Sequence, residues 1–227
     1  MKEGNLFRTV LRIALFICTP LMLVLGNLYL LATPAFVRYE YGKPGFPPSD
    51  IYQPSERLAL AEASVYYLRS AEASDYMANL ELAGRKVYNA REVRHMEDVK
   101  AVMGAAFWIQ AVSMIVVLAA VASARTKPAL QADFLLAAYS GCASFVAFLV
   151  GVGVMALLSF DVFFTLFHRV LFRGDTWLFF YTDTLIQLFP VPFWVDATFA
   201  LALLAVAECA VVGGVAWLLA RRDRTAP

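Results

Sequence analysis

Four long stretches of the chain are almost free of charged residues and alternate with polar segments. Three contain no Asp, Glu, Lys or Arg, and the fourth contains only Glu208. They are Ile13–Val37, Ala101–Ala124, Phe134–Phe160 and Ala197–Ala220. Each exceeds the roughly 20 apolar residues with which a helix crosses the bilayer core. The pattern predicts four transmembrane helices, at about 13–37, 100–124, 134–158 and 195–219.

The polar segments between these spans also carry helical patterns. A link rich in Pro and Gly is followed by apolar residues at helical spacing, which predicts an amphipathic helix from about Ser55. Asn89 and Glu92 have the spacing of a capping box, which predicts that the second long helix begins near Ala90. We therefore predict an all-α membrane protein, a single membrane domain over 1–227. Its segments 38–98 and 159–194 are expected to form a mainly helical extracellular cap.

The distribution of basic residues indicates how the spans are oriented. Short flanks rich in Lys and Arg are typical of the cytoplasmic side. One side carries eight basic residues in such flanks: Lys2, Arg8, Arg12, Arg125, Lys127, Arg221, Arg222 and Arg224. The other side carries eleven, but most belong to Arg38–Asp98, and segments of that length largely escape the rule. We expect both termini to be cytoplasmic.

Composition narrows the classes of protein that the chain can represent. Hydrophobic residues make up 61% of the 227 residues and charged residues 16%, against about 45–50% and about 25% in soluble domains. The net charge is only +1. These values exclude a disordered chain, an ordinary soluble enzyme and a nucleic-acid-binding protein. The three cysteines fall in different spans and predict helix packing, not disulfides: Cys18, Cys142 and Cys209.

The segment Ser159–Val195 is unusually rich in aromatic residues. It holds 12 of the chain's 32 aromatic side chains within 37 residues. Gly174 and Asp175 divide it into two predicted short helices, and Pro190 ends the second. An aromatic belt at the membrane interface is one explanation, and an aromatic-walled pocket for a lipidic group is the other. The many phenylalanines favour the pocket slightly, because belts prefer Trp and Tyr.

The chain contains only two histidines, and both lie in the polar segments. His95 falls in the second turn of the predicted long helix, and His168 falls among the aromatic residues. Histidine is the side chain that exchanges protons near neutral pH. Glu92 and Asp98 lie one helical turn to either side of His95, so either carboxylate can orient its ring. Two purely structural histidines are the alternative explanation.

The surroundings of His168 allow further interpretations. Asp161 and Thr165 share a predicted helical face with His168, and Arg169 is adjacent in sequence. A metal site built from both histidines and one nearby carboxylate is a further alternative. Its third ligand would be Glu92, Asp98 or Asp161.

The remaining patterns predict packing. No nucleophile elbow, zinc-protease motif, phosphate-binding loop or dinucleotide-binding motif occurs in the sequence. Glu208 is a functional candidate because it lies inside a span, but no Lys or Arg in any span can pair with it. We interpret it as a protonated, hydrogen-bonded carboxyl. Close helix contacts are expected at four glycines: Gly151, Gly153, Gly213 and Gly214.

Three motifs resemble the bacterial lipoprotein intramolecular transacylase family. They are Asn89-Ala-Arg-Glu-Val-Arg-His-Met-Glu-Asp-Val-Lys100, the pair Phe167-His168, and Trp177-Leu-Phe-Phe-Tyr-Thr-Asp-Thr-Leu-Ile-Gln-Leu-Phe-Pro190 with Phe193-Trp194. The resemblance covers essentially the whole chain. It implies a four-helix bundle in the bacterial cell membrane, with two catalytic histidines in an aromatic site where an extracellular cap meets the membrane. These are His95 and His168, with six supporting residues: Glu92, Asp98, Asp161, Arg169, Trp177 and Asp183.

The resemblance also implies the reaction. The substrate is a diacylated bacterial lipoprotein whose N-terminal cysteine bears a diacylglyceryl thioether and a free α-amine. The enzyme moves the sn-2 acyl chain from the glycerol oxygen to that amine, giving the lyso-form lipoprotein. Ester-to-amide transfer runs downhill, so we expect no cofactor and no metal. The expected partners are the lipoprotein and membrane lipid, with no nucleic acid.

Roles for the two histidines follow from elementary acid–base chemistry. His95 is expected to be the base, because Asp98 or Glu92 can hold its tautomer. His168 then protonates the departing glycerol oxygen or stabilises the oxyanion. A nucleophilic His95 is a variant, and Arg169 or Arg173 can meet the developing charge or a lipid phosphate. A non-catalytic membrane scaffold and a metal-dependent membrane hydrolase are the alternative functions.

Overall fold

The computed structural model describes the backbone of residues 2–126 and 128–225 and the side chains of residues 6–125 and 130–221. Lys127 lies outside the described residues, as do the side chains of Lys2, Arg222 and Arg224. The helices are α1 (Lys2–Leu31), α2 (Pro34–Tyr41), α3 (Pro54–Arg69), α4 (Asp75–Ala78), α5 (Ala90–Thr126), α6 (Pro128–Leu158), α7 (Phe160–Leu171), α8 (Thr184–Leu188) and α9 (Val191–Thr225). The strands are β1 (Glu81–Leu82) and β2 (Arg85–Lys86).

Four of these helices are long and apolar enough to cross a membrane. The stretches that meet this condition are Leu6–Leu31, Ala90–Arg125, Leu130–Leu158 and Val191–Arg221. The predicted fold class, a mainly helical membrane protein with four spanning helices, is therefore confirmed.

The first apolar stretch is divided between two helices. Because α1 ends at Leu31 and α2 begins at Pro34, the predicted span 13–37 is not a single helix. Thr33 caps α2, with its Oγ1 accepting a hydrogen bond from the N–H of Phe36 at 3.3 Å. Pro34 takes the first position of α2, where its missing N–H costs no hydrogen bond. Thr33 and Pro34 therefore begin a second helix within a stretch that the absence of charge had predicted to be one helix.

The predicted capping box at the start of α5 is confirmed. The side chain of Asn89 accepts a hydrogen bond from the N–H of Glu92 at 3.1 Å, and Glu92 Oε2 accepts one from the N–H of Asn89 at 2.8 Å. The helix begins at Ala90, as expected, and this places His95 in its second turn. The box fixes the position of His95 relative to the start of α5.

The chain forms two compact units. The span unit contains the residues up to Asn27, Ala106–Val154 and the residues from Ala200 onward. The site unit contains Leu28–Ala105 and Met155–Phe199. The sequence predicted a single membrane domain over 1–227, and this remains a prediction.

Small residues set the helix contacts of the span unit. A Cβ atom on Gly141 of α6 would collide with the carbonyl of Phe16 of α1. A Cβ atom on Gly213 of α9 would lie 3.1 Å from that of Cys142 of α6, so the close contact predicted for Gly213 is confirmed. The same prediction is wrong for three glycines at which an added Cβ would meet no described atom within 4 Å: Gly151, Gly153 and Gly214.

Polar contacts link α1 to other helices of the span unit. Arg8 forms an ion pair with Asp133 of α6. Asn27 Nδ2 donates a hydrogen bond to Glu208 Oε2 of α9 at 2.9 Å. Glu208 is therefore hydrogen-bonded inside the span unit, as the sequence predicted. All three cysteines are free: Cys18, Cys142 and Cys209.

The core of the site unit joins α2, α3, α5 and α8. Helix α3 is the amphipathic helix predicted from about Ser55, and it buries Leu60 and Val65. These side chains belong to one apolar cluster with Met96 of α5 and Leu188 of α8. The second turn of α5, which carries His95 next to Met96, is thereby anchored to the core.

A short hairpin follows α4. Glu81 pairs with Lys86 and Leu82 with Arg85. The two turn residues, Ala83 and Gly84, both have positive φ, at 51° and 74°, as two-residue hairpin turns of type I′ require. This hairpin has no signal in the sequence, because strands of two residues offer too few alternating positions to form a pattern.

Candidate functional site

Helices α5 and α7 each carry one histidine into the site unit. His95 lies in the second turn of α5. His168 lies in the last turn of α7, whose first turn is capped by the side chain of Ser159. Both histidines are buried, each with 8% of its surface exposed.

The two imidazole rings lie side by side. Their centroids are 6.0 Å apart and their planes differ by 25°. The ring of Phe172 contacts both, at 5.1 Å from His95 and 5.5 Å from His168. The fold therefore brings the chain's only two histidines into one site, although they are far apart in sequence.

Aromatic side chains form the walls of this site. Five contact one or both imidazoles at centroid distances of 4.0 to 5.5 Å: Phe164, Phe167, Phe172, Trp177 and Phe179. Trp177 is fixed by a hydrogen bond of 3.1 Å from its indole N–H to the carbonyl of Gly174, which has φ of 73°. Only part of the two predicted short helices forms here, since α7 ends at Leu171 and α8 has five residues. The loop between them carries Trp177 and Phe179.

His168 has a defined tautomer. Its Nδ1 lies 2.8 Å from the carbonyl oxygen of Phe164. Because a carbonyl only accepts, Nδ1 carries the proton of the neutral ring and Nε2 keeps its lone pair. Burial lowers the pKa of His168 below its ordinary value, and the hydrogen bond to Phe164 offsets this only in part. The ring is thus neutral near neutral pH and presents a basic nitrogen.

His95 has no such partner. Its Nδ1 is buried and without a hydrogen bond to any described residue. Glu92, which was predicted to orient the ring, binds backbone amides instead, those of Asn89 and Leu185, both at 2.8 Å. Its carboxylate therefore ties the start of α5 to α8.

Asp98, the other carboxylate predicted to orient His95, is also engaged elsewhere. Its Oδ2 accepts a hydrogen bond from Thr176 Oγ1 at 3.0 Å. Asp98 thus tethers the loop that carries Trp177, a role that the sequence analysis missed. No local pattern could have shown it, because Thr176 lies in a different segment of the chain.

Asp183, a predicted supporting residue, links the same two segments. Its Oδ1 accepts a hydrogen bond from Asn89 Nδ2 at 3.0 Å. Its Oδ2 accepts one from the N–H of Phe180 at 2.8 Å and one from Arg91 Nη2 at 3.3 Å. Sequence reasoning missed Arg91, although its spacing of one helical turn from His95 could have indicated it.

Asp161, Arg169 and Arg173 are not brought to the imidazoles by any described contact. All three side chains are exposed, with no hydrogen bond or ion pair to a described residue. Within the described part of the chain, no three His, Cys, Asp or Glu side chains are grouped as ligands of one metal ion. The arrangement predicted for a two-histidine metal site with a carboxylate ligand therefore does not occur there.

Fold and site together define a helical membrane protein with a buried pair of imidazoles between aromatic walls. A sequence model of the family described as lipoprotein intramolecular transacylase matches residues 13–194. The chain belongs to this family, and it is an acyltransferase that acts on lipoproteins in the membrane.

Individual relatives are consistent with this assignment. An uncharacterised protein of Aquifex aeolicus is 31% identical over 172 residues, which cover 75% of this chain and 76% of that protein. The crystallised lipoprotein intramolecular transacylase Lit from Bacillus cereus matches with a TM-score of 0.70 and 16% identity over 100% of both chains. A variant of that enzyme with a histidine replaced by alanine matches with a TM-score of 0.63 and 17% identity over 99% of both chains. At such identities the structures support the fold.

Proposed function

We propose that His95 and His168 are the catalytic pair with which this acyltransferase moves an acyl chain within one lipoprotein. The donor is the sn-2 ester of the diacylglyceryl group on the N-terminal cysteine, and the acceptor is the α-amine of that cysteine. The product is the lyso-form lipoprotein. The observation that carries the proposal is the 6.0 Å approach of two buried imidazoles inside an aromatic site.

The reaction requires only one proton to move. The amine nitrogen attacks the ester carbonyl carbon, a C–N bond forms, and the amine gives up a proton. The tetrahedral intermediate then collapses, the C–O bond to glycerol breaks, and the glycerol oxygen takes up a proton. Atoms and charge balance without a co-reactant, so a base, a proton donor and a shaped cavity suffice.

The geometry supports His168 as the base. The sequence favoured His95, on the ground that Asp98 or Glu92 would hold its tautomer, but both carboxylates are bound elsewhere. His168 has its Nδ1–H bound to a carbonyl, so Nε2 is the free acceptor. The proton that the amine nitrogen loses as the C–N bond forms passes to this Nε2.

His95 then serves as the hydrogen-bond donor. A neutral imidazole carries one N–H. This N–H, directed at the carbonyl oxygen of the ester, stabilises the negative charge of the tetrahedral intermediate. The proton held by His168 then passes to the glycerol oxygen. A positioned acid or base typically contributes about 10²–10⁴-fold to the rate.

The aromatic walls supply the second part of the catalysis. Donor and acceptor belong to one flexible molecule, which must fold so that amine and ester meet. Well-oriented intramolecular reactions gain about 7–11 kcal/mol from geometry. Phe172 touches both imidazoles, so a lipid segment packed against it would lie beside both rings.

The substrate and its orientation are part of the proposal. A diacylated lipoprotein keeps its acyl chains in the bilayer and its protein part in water. Because mature lipoproteins are anchored on the outer side of the cell membrane, we place the site on the extracellular face and both termini in the cytoplasm. The described basic residues in short flanks, Arg8, Arg12, Arg125 and Arg221, are consistent with that orientation.

The experiment is expression of the chain in a bacterium that lacks this activity, followed by mass spectrometry of lipoprotein N-termini. We expect conversion of diacylated cysteine to the lyso form. His95→Ala and His168→Ala should each abolish conversion, whereas Arg169→Gln, an exposed neighbour of His168, should retain it. Full conversion by both histidine variants at equal membrane levels would refute the assigned site. No lipid change at all would favour a scaffold, and loss of activity with a chelator would favour a metal-dependent enzyme.

A further inference from the structure

Arg91 belongs to the wall of the histidine site, although the proposed proton transfers do not use it. It lies one helical turn before His95 on α5, and thus on the same face. Its guanidinium carbon is 5.8 Å from the ring centroid of Phe179 and 5.1 Å from that of Phe180. The ring of Phe179 in turn lies 5.3 Å from that of His95.

The guanidinium of Arg91 has unused hydrogen-bond donors. Its bond to Asp183 is long, at 3.3 Å, and that carboxylate also accepts a shorter bond of 2.8 Å from the N–H of Phe180. Nε is buried without a partner, and Nη1 donates to no described residue. The side chain is 39% exposed. A guanidinium held on aromatic faces with free N–H groups is suited to binding oxygen atoms of a ligand.

The position of Arg91 along α5 indicates which oxygen atoms these are. The charge-free stretch of the helix begins at Ala101. With a rise of 1.5 Å per residue, His95 lies about 9 Å from Ala101, and Arg91 lies about 6 Å further along the axis. The substrate has the same order: acyl chains, then ester and amine, then the peptide. A substrate with its chains in the bilayer and its ester at His95 directs its peptide toward Arg91.

We propose that Arg91 binds backbone carbonyl oxygens of the peptide that follows the acylated cysteine, an inference that rests on the function proposed above. It is a specificity residue and takes no part in the chemistry. Asp183 and the two phenylalanine rings hold the guanidinium in place. The site thereby distinguishes a lipopeptide from a membrane lipid, which has acyl esters but no peptide.

The test compares two synthetic substrates with the purified full-length enzyme in detergent micelles. One is diacylglyceryl-cysteine amide, and the other carries the same lipid on an uncharged five-residue peptide. The wild type should prefer the peptide substrate in kcat/KM. Arg91→Met should reduce this preference by about 10-fold to 100-fold, the usual weight of a hydrogen bond to a charged group. The loss should appear in KM for the peptide substrate and should exceed any loss on the short amide.

Two further variants sharpen the result. Arg91→Lys keeps the charge but lacks the planar fork, so it should restore only part of the preference. Arg94→Met removes an exposed arginine of the same helix and should leave the preference intact. An N-acetylated form of the peptide substrate, which cannot react, should bind Arg91→Met more weakly by the same factor as the loss in kcat/KM.

Several outcomes would overturn the proposal. One is an unchanged preference in Arg91→Met, and another is an equal loss on both substrates, which would mean that Arg91 only maintains the site. If the variant instead becomes insensitive to competing phosphatidylglycerol while keeping its peptide preference, the ligand is a lipid phosphate. Conversion of neither substrate by the wild type would refute the proposed function itself.

Discussion

The span unit and the site unit differ in the interactions that their side chains make. In the four spanning helices, only 11–22% of the most apolar window is buried inside the protein, and side chains such as Trp108 and Leu203 are largely exposed. In the site unit, four buried polar side chains are hydrogen-bonded across the fold: Arg57, Glu92, Thr184 and Gln187. One unit presents apolar surface outward, and the other is defined by specific polar contacts.

The difference follows from the surroundings of each unit. Lipid tails are as apolar as Leu, so burial of apolar surface does not drive spanning helices together, and close packing at small residues takes over. The contact of Gly141 with Phe16 is of this kind. A site that handles protons needs side chains at fixed positions, which directed hydrogen bonds provide. Substitutions in the two units should therefore have different consequences.

The largest effect is expected at His168. Replacement by Ala removes the base, and activity should fall by about 10²–10⁴-fold while the melting temperature changes little in comparison. Added imidazole should restore part of the activity, because it can enter the space left among the aromatic side chains. The rate is measured with a synthetic diacylated lipopeptide. Rescue of His168→Ala but not of a matched Phe164→Ala variant would tie the effect to proton transfer, and equal rescue of both would contradict it.

Glu92 tests the polar side of the comparison. Glu92→Gln keeps the size of the side chain but faces one of the two backbone N–H groups with an amide NH₂. A buried donor without a partner costs about 1–3 kcal/mol. We therefore expect the free energy of unfolding to fall by that amount and hydrogen exchange at the amide of Leu185 to become faster. The exposed Glu97→Gln on the same helix is the control and should be neutral. Unchanged exchange at Leu185 would contradict the assigned contact.

Gly141 tests the packing side. Gly141→Ala places a methyl group against the carbonyl of Phe16 and should destabilise the protein by about 1–3 kcal/mol. Gly151→Ala, on the same helix but facing open space, should instead be neutral or stabilise by about 0.5–1 kcal/mol, because Gly disfavours helix. Thermal unfolding in detergent measures both. Activity per folded molecule should stay unchanged, and equal effects of the two substitutions would refute the close contact.

The smallest effect concerns pH. Burial lowers the pKa of His168 in the folded chain, so folding disfavours its protonated form. The stability linked to this group is therefore present above the ordinary histidine pKa of about 6.5 and is lost as pH falls below it toward the folded value. NMR titration of His95→Gln, in which His168 is the only histidine left, should give a pKa below about 6.5. A value at or above that figure would contradict the buried, neutral ring.

Features that depend on neighbouring residues or on composition could be predicted from the amino-acid sequence. The absence of charge over a bilayer's thickness defined four spanning helices, and the spacing of Asn89 and Glu92 placed the start of α5. The motifs around His95 and His168 identified the family. These features are local or compositional, so the sequence alone is enough to recognise them.

The remaining contacts join residues that are far apart in the chain. The second oxygen of Glu92 accepts a hydrogen bond from the amide of Leu185, and Asp98 accepts one from Thr176. A close helix contact occurs at Gly141, whereas a Cβ atom on Gly151 would meet nothing within 4 Å. Such choices depend on which groups meet across the fold and on whether a buried donor or acceptor already has a partner. That competition is settled only when the segments pack together, and it engaged both carboxylates near His95 with other partners.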